Sequence, residues 1–316
     1  MCNHDEHETS VSVDKGTREM LNRRKMIQAL AAGGTVAVAG GLAGCATNAE
    51  TGASQMLLIG ENALSQAAAQ SWAEAKRKQK LSTDPRYTTR LRNIGGRIAR
   101  GARRDHQPWD YAVFDSPQKN AFVLPGNRVG FYTGMMDFAG NDDQIAAIMG
   151  HEVGHVAGKH AAERVSTNMA GQLAVVGGTI LAGSQMQKRC NQYPDARQRS
   201  QCTRGASRNT QLLNQALGIG FMVGIALPFS RKHESQSDLL GVRYMQRSGY
   251  KPYEAVKLWE KMADGNQRKQ PEFLSTHPDP ARRARDLHNY ISCQERLGSQ
   301  GWGDNTLKAA LQACKA

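Results

Sequence analysis

Between Ala146 and Ala157 the chain reads Ala-Ala-Ile-Met-Gly-His-Glu-Val-Gly-His-Val-Ala, and His151-Glu152-x-x-His155 within it constrains the fold more than any other stretch. Four residues make little more than one helical turn, so both imidazoles rise on one face with Glu152 one step round. Two such histidines can share one Zn²⁺ at about 2.0–2.1 Å. An accidental pair of histidines on an ordinary helix is the competing reading. It sits badly with so apolar a helix, where titratable groups need a partner such as a metal. A catalytic zinc takes three protein ligands and leaves a fourth position for water, and Glu152 is placed to act as general base towards that water.

The third ligand lies elsewhere in the chain. His160 follows His155 by five residues and Gly158 lies between, but the metzincin spacing needs a histidine at position 161, which is Ala161. A second group of candidates is the stretch Ser230-Arg231-Lys232-His233-Glu234-Ser235-Gln236-Ser237-Asp238, which reads as the start of a helix. Glu234 and Asp238 are four apart and share a face, so one can bind metal while the other accepts a hydrogen bond from a ligating imidazole. His277 stands in Ser275-Thr276-His277-Pro278, an ordered loop by composition, where a capping or surface role competes with catalysis.

Around these residues the pattern predicts an α+β fold, mainly helical, with a small sheet next to the zinc helix. Residues 55–80 read as a helix. After Asp84-Pro85, the spacing of Tyr87, Leu91, Ile94 and Ile98 predicts an amphipathic helix with a basic outer face. Residues 111–114 read as a strand, and 121–124 and 128–132 as a hairpin turned by Pro125-Gly126-Asn127. Asn141 is the expected cap of the zinc helix. Residues 169–184 and 212–229 are apolar and Gly-rich. They read as two helices beside the cleft, with a membrane-embedded hairpin as the alternative.

The 316 residues carry a formal charge of +13, and since residues 1–45 are balanced in charge, the excess lies in the remainder. Such a basic protein favours anionic surfaces, but net charge does not choose among lipid, envelope polymer and nucleic acid. Solvated basic helix faces are the stronger account of it, and no nucleic-acid partner is expected. Residues 1–44 read as a signal region, with an upstream extension before Met20: Asn22-Arg23-Arg24-Lys25, a weakly apolar run, then Leu42-Ala43-Gly44-Cys45. The last four residues resemble the bacterial lipobox. That resemblance implies lipidation of Cys45 and, with Ala46 following it, a periplasmic place on the outer membrane. Residues 45–54 read as a tether, 55–292 as the catalytic domain and 293–316 as a cap. Setting aside Cys2 and Cys45, four cysteines remain, and local pairing joins Cys190 with Cys202 and Cys293 with Cys314, as suits an oxidising compartment.

Four motifs then occur in one order: Asn120-Ala121-Phe122-x-Leu124-Pro125-Gly126, Gly150-His151-Glu152-Val153-Gly154-His155, Ser230-Arg231-x-x-Glu234-x-x-x-Asp238, and Ser275-Thr276-His277-Pro278. Together they resemble the gluzincin peptidase family of HtpX, the CAAX prenyl protease and mitochondrial Oma, in its periplasmic lipoprotein form. The resemblance implies one Zn²⁺ held by His151, His155 and Glu234, with Glu152 as base and Asp238 as the partner of a ligand. It also implies that His277 approaches the zinc water or the oxyanion, and that Arg282 supports the His277 segment. Asn127 departs from the family's usual second glycine. The function implied is endopeptidase action on misfolded or unassembled envelope proteins. The alternative is a chaperone or assembly factor working with the outer-membrane assembly machinery.

Overall fold

The computed structural model describes residues 45–171, 192, 195–198, 200, 229–264, 271–298 and 301–315. From Ala46 onward these belong to one unit. Strands β1 (Cys45–Thr47) and β2 (Ser54–Met56) precede helices α1 (Glu61–Lys78) and α2 (Pro85–Gly101). Strands β3 (Asp110–Phe114), β4 (Ala121–Leu124) and β5 (Arg128–Tyr132) lead into α3 (Thr133–Ala139) and α4 (Asp142–Ala157). Residues 160–171 are helical. Further on come α5 (Arg231–Arg247), α6 (Tyr253–Ala263), α7 (Phe273–Thr276), α8 (Pro280–Arg296) and α9 (Leu307–Ala313). The fold is α+β and mainly helical, as the residue pattern predicts.

Local chemistry explains these elements. Asp84 caps α2 by accepting the Arg86 N–H, Pro85 opens its first turn, and Leu91, Ile94 and Ile98 are buried on its inner face. Strands β4 and β5 pair antiparallel with Val123 opposite Val129, while β3 runs parallel to β5 on its far side. The order is β3-β5-β4, which leaves β4 as an edge. Gly126 and Asn127 both have positive φ, 87° and 59°. Asparagine is among the few residues that tolerate this region, and the Asn127 side chain donates to Gln107 Oε1 and the Pro108 carbonyl. Asn127 therefore keeps the turn without a second glycine.

Helix α4 is capped by Asn141, which accepts the Gln144 N–H, and is buried on nearly every side, as its all-round apolar character requires. Ile145, Ile148 and Met149 share one core with Leu91, Ile94 and Ile98 of α2, and that core also takes Phe131, Leu240, Tyr244, Trp259 and Leu287. Against α5 the helix comes unusually close. A Cβ on Gly150 would stand 2.9 Å from the Gly241 carbonyl oxygen, and one on Gly154 would stand 2.7 Å from that of Ser237. Small residues on both helices thus let α5 deliver Glu234 and Asp238 to the histidines of α4.

The segment expected as a tether, residues 45–54, and the residues just after it pack against the end of α4. Asn48 Nδ2 donates to the Ala157 carbonyl at 3.0 Å and Gln55 Nε2 to that of Gly158 at 2.6 Å, serving carbonyls left open where α4 ends. Position 293 is not a boundary, because α8 runs on to Arg296. Cys293 is joined to Cys314 by a disulfide that ties α9 to α8. Cys45 is also disulfide-bonded. The signal region 1–44, Cys190, Cys202, most of 169–184 and all but Phe229 of 212–229 lie outside the described residues. Among the described residues, no helix is long and apolar enough to cross a membrane.

Candidate metal centre

The structure brings His151, His155, Glu234 and His277 together, all buried, with one ligating atom from each lying within 4.8 Å of the others. His155 Nε2 is 3.0 Å from His151 Nε2 and 3.4 Å from Glu234 Oε1, and Glu234 Oε2 is 3.6 Å from His151 Nε2. Tetrahedral zinc ligands at their usual bond lengths are separated by about 3.3 Å, so the spacing suits one ion. Burial, the largest cause for each, holds His151 and His155 well below the ordinary imidazole pKa and keeps them in the neutral, metal-binding form. For Glu234 burial pushes upward, but His277, Arg283 and the hydrogen bond from His155 outweigh it and keep the carboxylate ionised. Two neutral imidazoles and one carboxylate are the donor set of a catalytic zinc.

His277 comes closer than its loop position suggests. It follows α7, is packed face to face on Phe273 at 4.2 Å, and its Nδ1 lies 3.1 Å from His151 Nε2 and 3.1 Å from both Glu234 oxygens. Its Nε2 faces Glu152 Oε1 at 3.6 Å. The ring thus stands between Glu152 and the residues that would hold a metal.

Glu152 is 1% exposed, and its Oε1 has no hydrogen-bond partner among the described residues. Burial pushes its pKa up to about 7, opposed by His277 and by the N–H of Val123 on edge strand β4. A carboxyl group with that pKa can both take and return a proton near neutral pH.

The arginine expected to support the His277 segment is Arg283, not Arg282. Arg282 pairs with Asp279 and Asp286 on the outside of α8. Arg283, one step or about 100° further round the helix, is 1% exposed and donates from Nε and Nη2 to both oxygens of Asp238. Asp238 Oδ1 in turn accepts from His151 Nδ1 at 2.9 Å, which leaves Nε2 for the metal. Periodicity marks the right residue: Arg283, Leu287, Tyr290, Ile291 and Gln294 form the buried face of α8. His160, set aside as a ligand, also reaches the site, with Nδ1 3.1 Å from His155 Nδ1.

A helical domain with a small mixed sheet, a buried His/His/Glu donor set and an adjacent buried glutamate are together the arrangement of a zinc metallopeptidase site. Residues 85–291 match the model of peptidase family M48, and the chain belongs to that family. It is 30% identical over 185 residues to the mitochondrial metalloendopeptidase OMA1 of Schizosaccharomyces pombe, covering 58% of this chain and 47% of that protein. It is 24% identical over 253 residues to the beta-barrel assembly-enhancing protease of Escherichia coli strain K12, covering 73% of this chain and 47% of that protein. The chain therefore spans about half the length of these curated relatives.

Proposed function

We propose that this chain is a zinc-dependent endopeptidase of the bacterial cell envelope that hydrolyses peptide bonds in misfolded or unassembled proteins. The observation that carries this reading is the Glu152 carboxyl, buried and, among the described residues, without a hydrogen bond at Oε1, beside the His151, His155 and Glu234 donor set. Zinc, when bound there, supplies Lewis acidity to water and to the scissile carbonyl. Glu152 takes the proton of the attacking water and returns it to the leaving amine. His277 Nε2, 3.6 Å from Glu152 Oε1, would donate to oxygen on which charge develops.

Edge strand β4 carries the Val123 N–H towards the same glutamate, so an extended peptide added to this edge would bring its backbone to the base. A cavity of about 240 Å³ opens beside it, walled in part by Leu64, Val123, Leu124 and Phe229, and can take an apolar substrate side chain. Backbone pairing with one apolar pocket suits unfolded substrates of varied sequence. The Cys293–Cys314 disulfide fits an oxidising compartment, and the relatives named beta-barrel assembly-enhancing protease, in Escherichia coli and Yersinia pestis, favour the envelope. Lipidation at Cys45 on the periplasmic side of the outer membrane belongs to this proposal, for a chain cut before that residue.

A second reading, an assembly factor for outer-membrane proteins with latent protease activity, draws on those relatives and on the position of His277 Nδ1 among the ligands. One variant separates the two. Glu152→Gln should keep its zinc and lose cleavage of casein. If it still supports the protein's role in cells, the assembly reading gains. Wild-type protein purified without zinc, or a variant that still cleaves, would overturn the peptidase mechanism.

A further inference from the structure

The two histidines of α4 are held by different means. His151 presents Nδ1 to a carboxylate, Asp238 Oδ1. His155 instead presents Nδ1 to another imidazole, His160 Nδ1, at 3.1 Å. His160 is completely buried and stacks on His233 with ring centroids 4.4 Å apart. Its Nε2 lies 3.0 Å from Gln236 Oε1, and Ser237 Oγ lies 3.2 Å from its Nδ1.

We infer that His160 is a positioning residue for the metal: it accepts the Nδ1–H of His155 and so reserves His155 Nε2 as the lone pair offered to zinc. The inference rests on the zinc reading of the site and is independent of which peptide is cleaved.

Counting protons leaves a single arrangement. A neutral imidazole that gives its Nε2 lone pair to a metal carries its hydrogen on Nδ1. His155 Nδ1 is then a donor, so His160 Nδ1 must accept. The hydrogen of His160 consequently sits on Nε2, where Gln236 Oε1 receives it. The Ser237 hydroxyl, 3.2 Å from the same nitrogen, can only share that atom's one lone pair, as the weaker of two donors. In the opposite polarity, His160 would donate to His155 Nδ1 and push the hydrogen of His155 onto Nε2, into the ligand cluster, where no metal could bind that atom.

The backbone is shaped for this contact. Lys159 adopts a positive φ of 53°, turning the chain back after α4. Gly158 leaves room for the returning ring, since a Cβ there would stand 2.3 Å from His160 Nε2. Helix α5 supplies the other end. Glu234 is the ligand, Asp238 orients His151, and Gln236 with Ser237 fixes His160. The relay to His155 is neutral throughout, so it holds the second imidazole without adding another negative charge beside Glu152, Glu234 and Asp238.

The test is zinc affinity of the full chain, measured by competition with a chelator, together with the thermal midpoint of the zinc-free protein. His160→Leu removes the acceptor and should weaken zinc binding by about 10–100-fold. His160→Asn offers Oδ1 close to where Nδ1 stood and should recover most of that loss. Gln236→Leu lets His160 take either tautomer and should weaken zinc binding while leaving the zinc-free midpoint near wild type. If His160→Leu does not fold, the contrast between His160→Asn and Gln236→Leu decides. Wild-type affinity in His160→Leu, an asparagine variant as weak as the leucine one, or wild-type affinity in Gln236→Leu would overturn the inference. A wild-type chain that binds no zinc would overturn the metal reading itself.

Discussion

Arg283 Nη1 lies 2.9 Å from Glu234 Oε2, and both side chains are 1% exposed. The same guanidinium holds Asp238 by two hydrogen bonds, at 2.7 and 2.6 Å, donates to the His277 carbonyl, and lies over Trp259 with 3.4 Å to the ring centroid. One cation from α8 therefore fixes a metal-ligating carboxylate, the carboxylate that orients His151, and the loop that bears His277. It also compensates charge that the buried site could not otherwise carry in the absence of metal.

Removing that cation should be costly. Arg283→Ala leaves two buried carboxylates without their partner, and losses of about 3–5 kcal/mol are usual when one side of a buried pair is removed. Arg282→Ala, which touches only exposed acids, should stay within about 0.5 kcal/mol of wild type. Urea unfolding of the two neighbouring variants, without zinc, checks the contrast. Equal losses would remove Arg283 from its central place.

The close approach of α4 and α5 predicts a second effect. Gly154→Ala puts a methyl group against the Ser237 backbone, where only 2.7 Å is available to its carbonyl oxygen. Either the helices separate or the methyl is strained. Overpacking of this kind costs about 1–3 kcal/mol. Because Glu234 rides on α5, zinc affinity should fall along with stability. Gly96→Ala, on the open side of α2 with nothing near its Cβ, is the matched control. Denaturation and chelator competition on both variants test this.

How much of this arrangement is legible in the sequence depends on the range of each signal. His151, Glu152, His155, Glu234 and Asp238 are linked by helical spacing, and the hairpin by its Pro125-Gly126-Asn127 turn; such local rules need no tertiary knowledge. Expecting Arg282 in place of Arg283 is an error of register, which the buried stripe through Leu287 and Ile291 corrects. Strands β1 and β2 leave no such mark. Asn48 and Gln55 matter only because the end of α4 stands opposite them, more than 100 positions along the chain. His160 is legible as a histidine near the site but not as a partner of His155, since a ring turned back by Lys159 follows no helical period.

The raised pKa of Glu152 gives a pH dependence with a definite sign. In the folded, zinc-free chain its proton is held up to about 7, against an ordinary value of 4.5. A carboxyl group whose folded pKa is raised contributes stability below its unfolded pKa, and that contribution is lost as pH rises through the folded value. Between pH 4.5 and about 7, wild-type stability should therefore decline relative to Glu152→Gln, by about 3 kcal/mol if the whole shift is expressed. Comparing the two proteins cancels the opposite effect of the buried histidines, which favour folding as pH rises. A difference that does not change across that window would contradict the burial of a protonated Glu152.

The Cys293–Cys314 bond closes a loop with a sequence separation of 21 and holds α9 against α8. A cross-link of that span lowers the entropy of the unfolded chain by an amount worth about 3 kcal/mol. The bond supports the shell rather than the donor cluster, because α9 is tied to the N-terminal strands: the N–H groups of Leu307 and Lys308 donate to the Glu50 and Thr51 carbonyls. Replacing both cysteines by serine should therefore lower the unfolding midpoint and loosen the N-terminal strands while leaving zinc affinity near wild type. Hydrogen exchange at residues 48–56 and a zinc titration on the same variant report the two halves. Loss of metal without loss of protection would show that the disulfide supports the site directly rather than the shell around it.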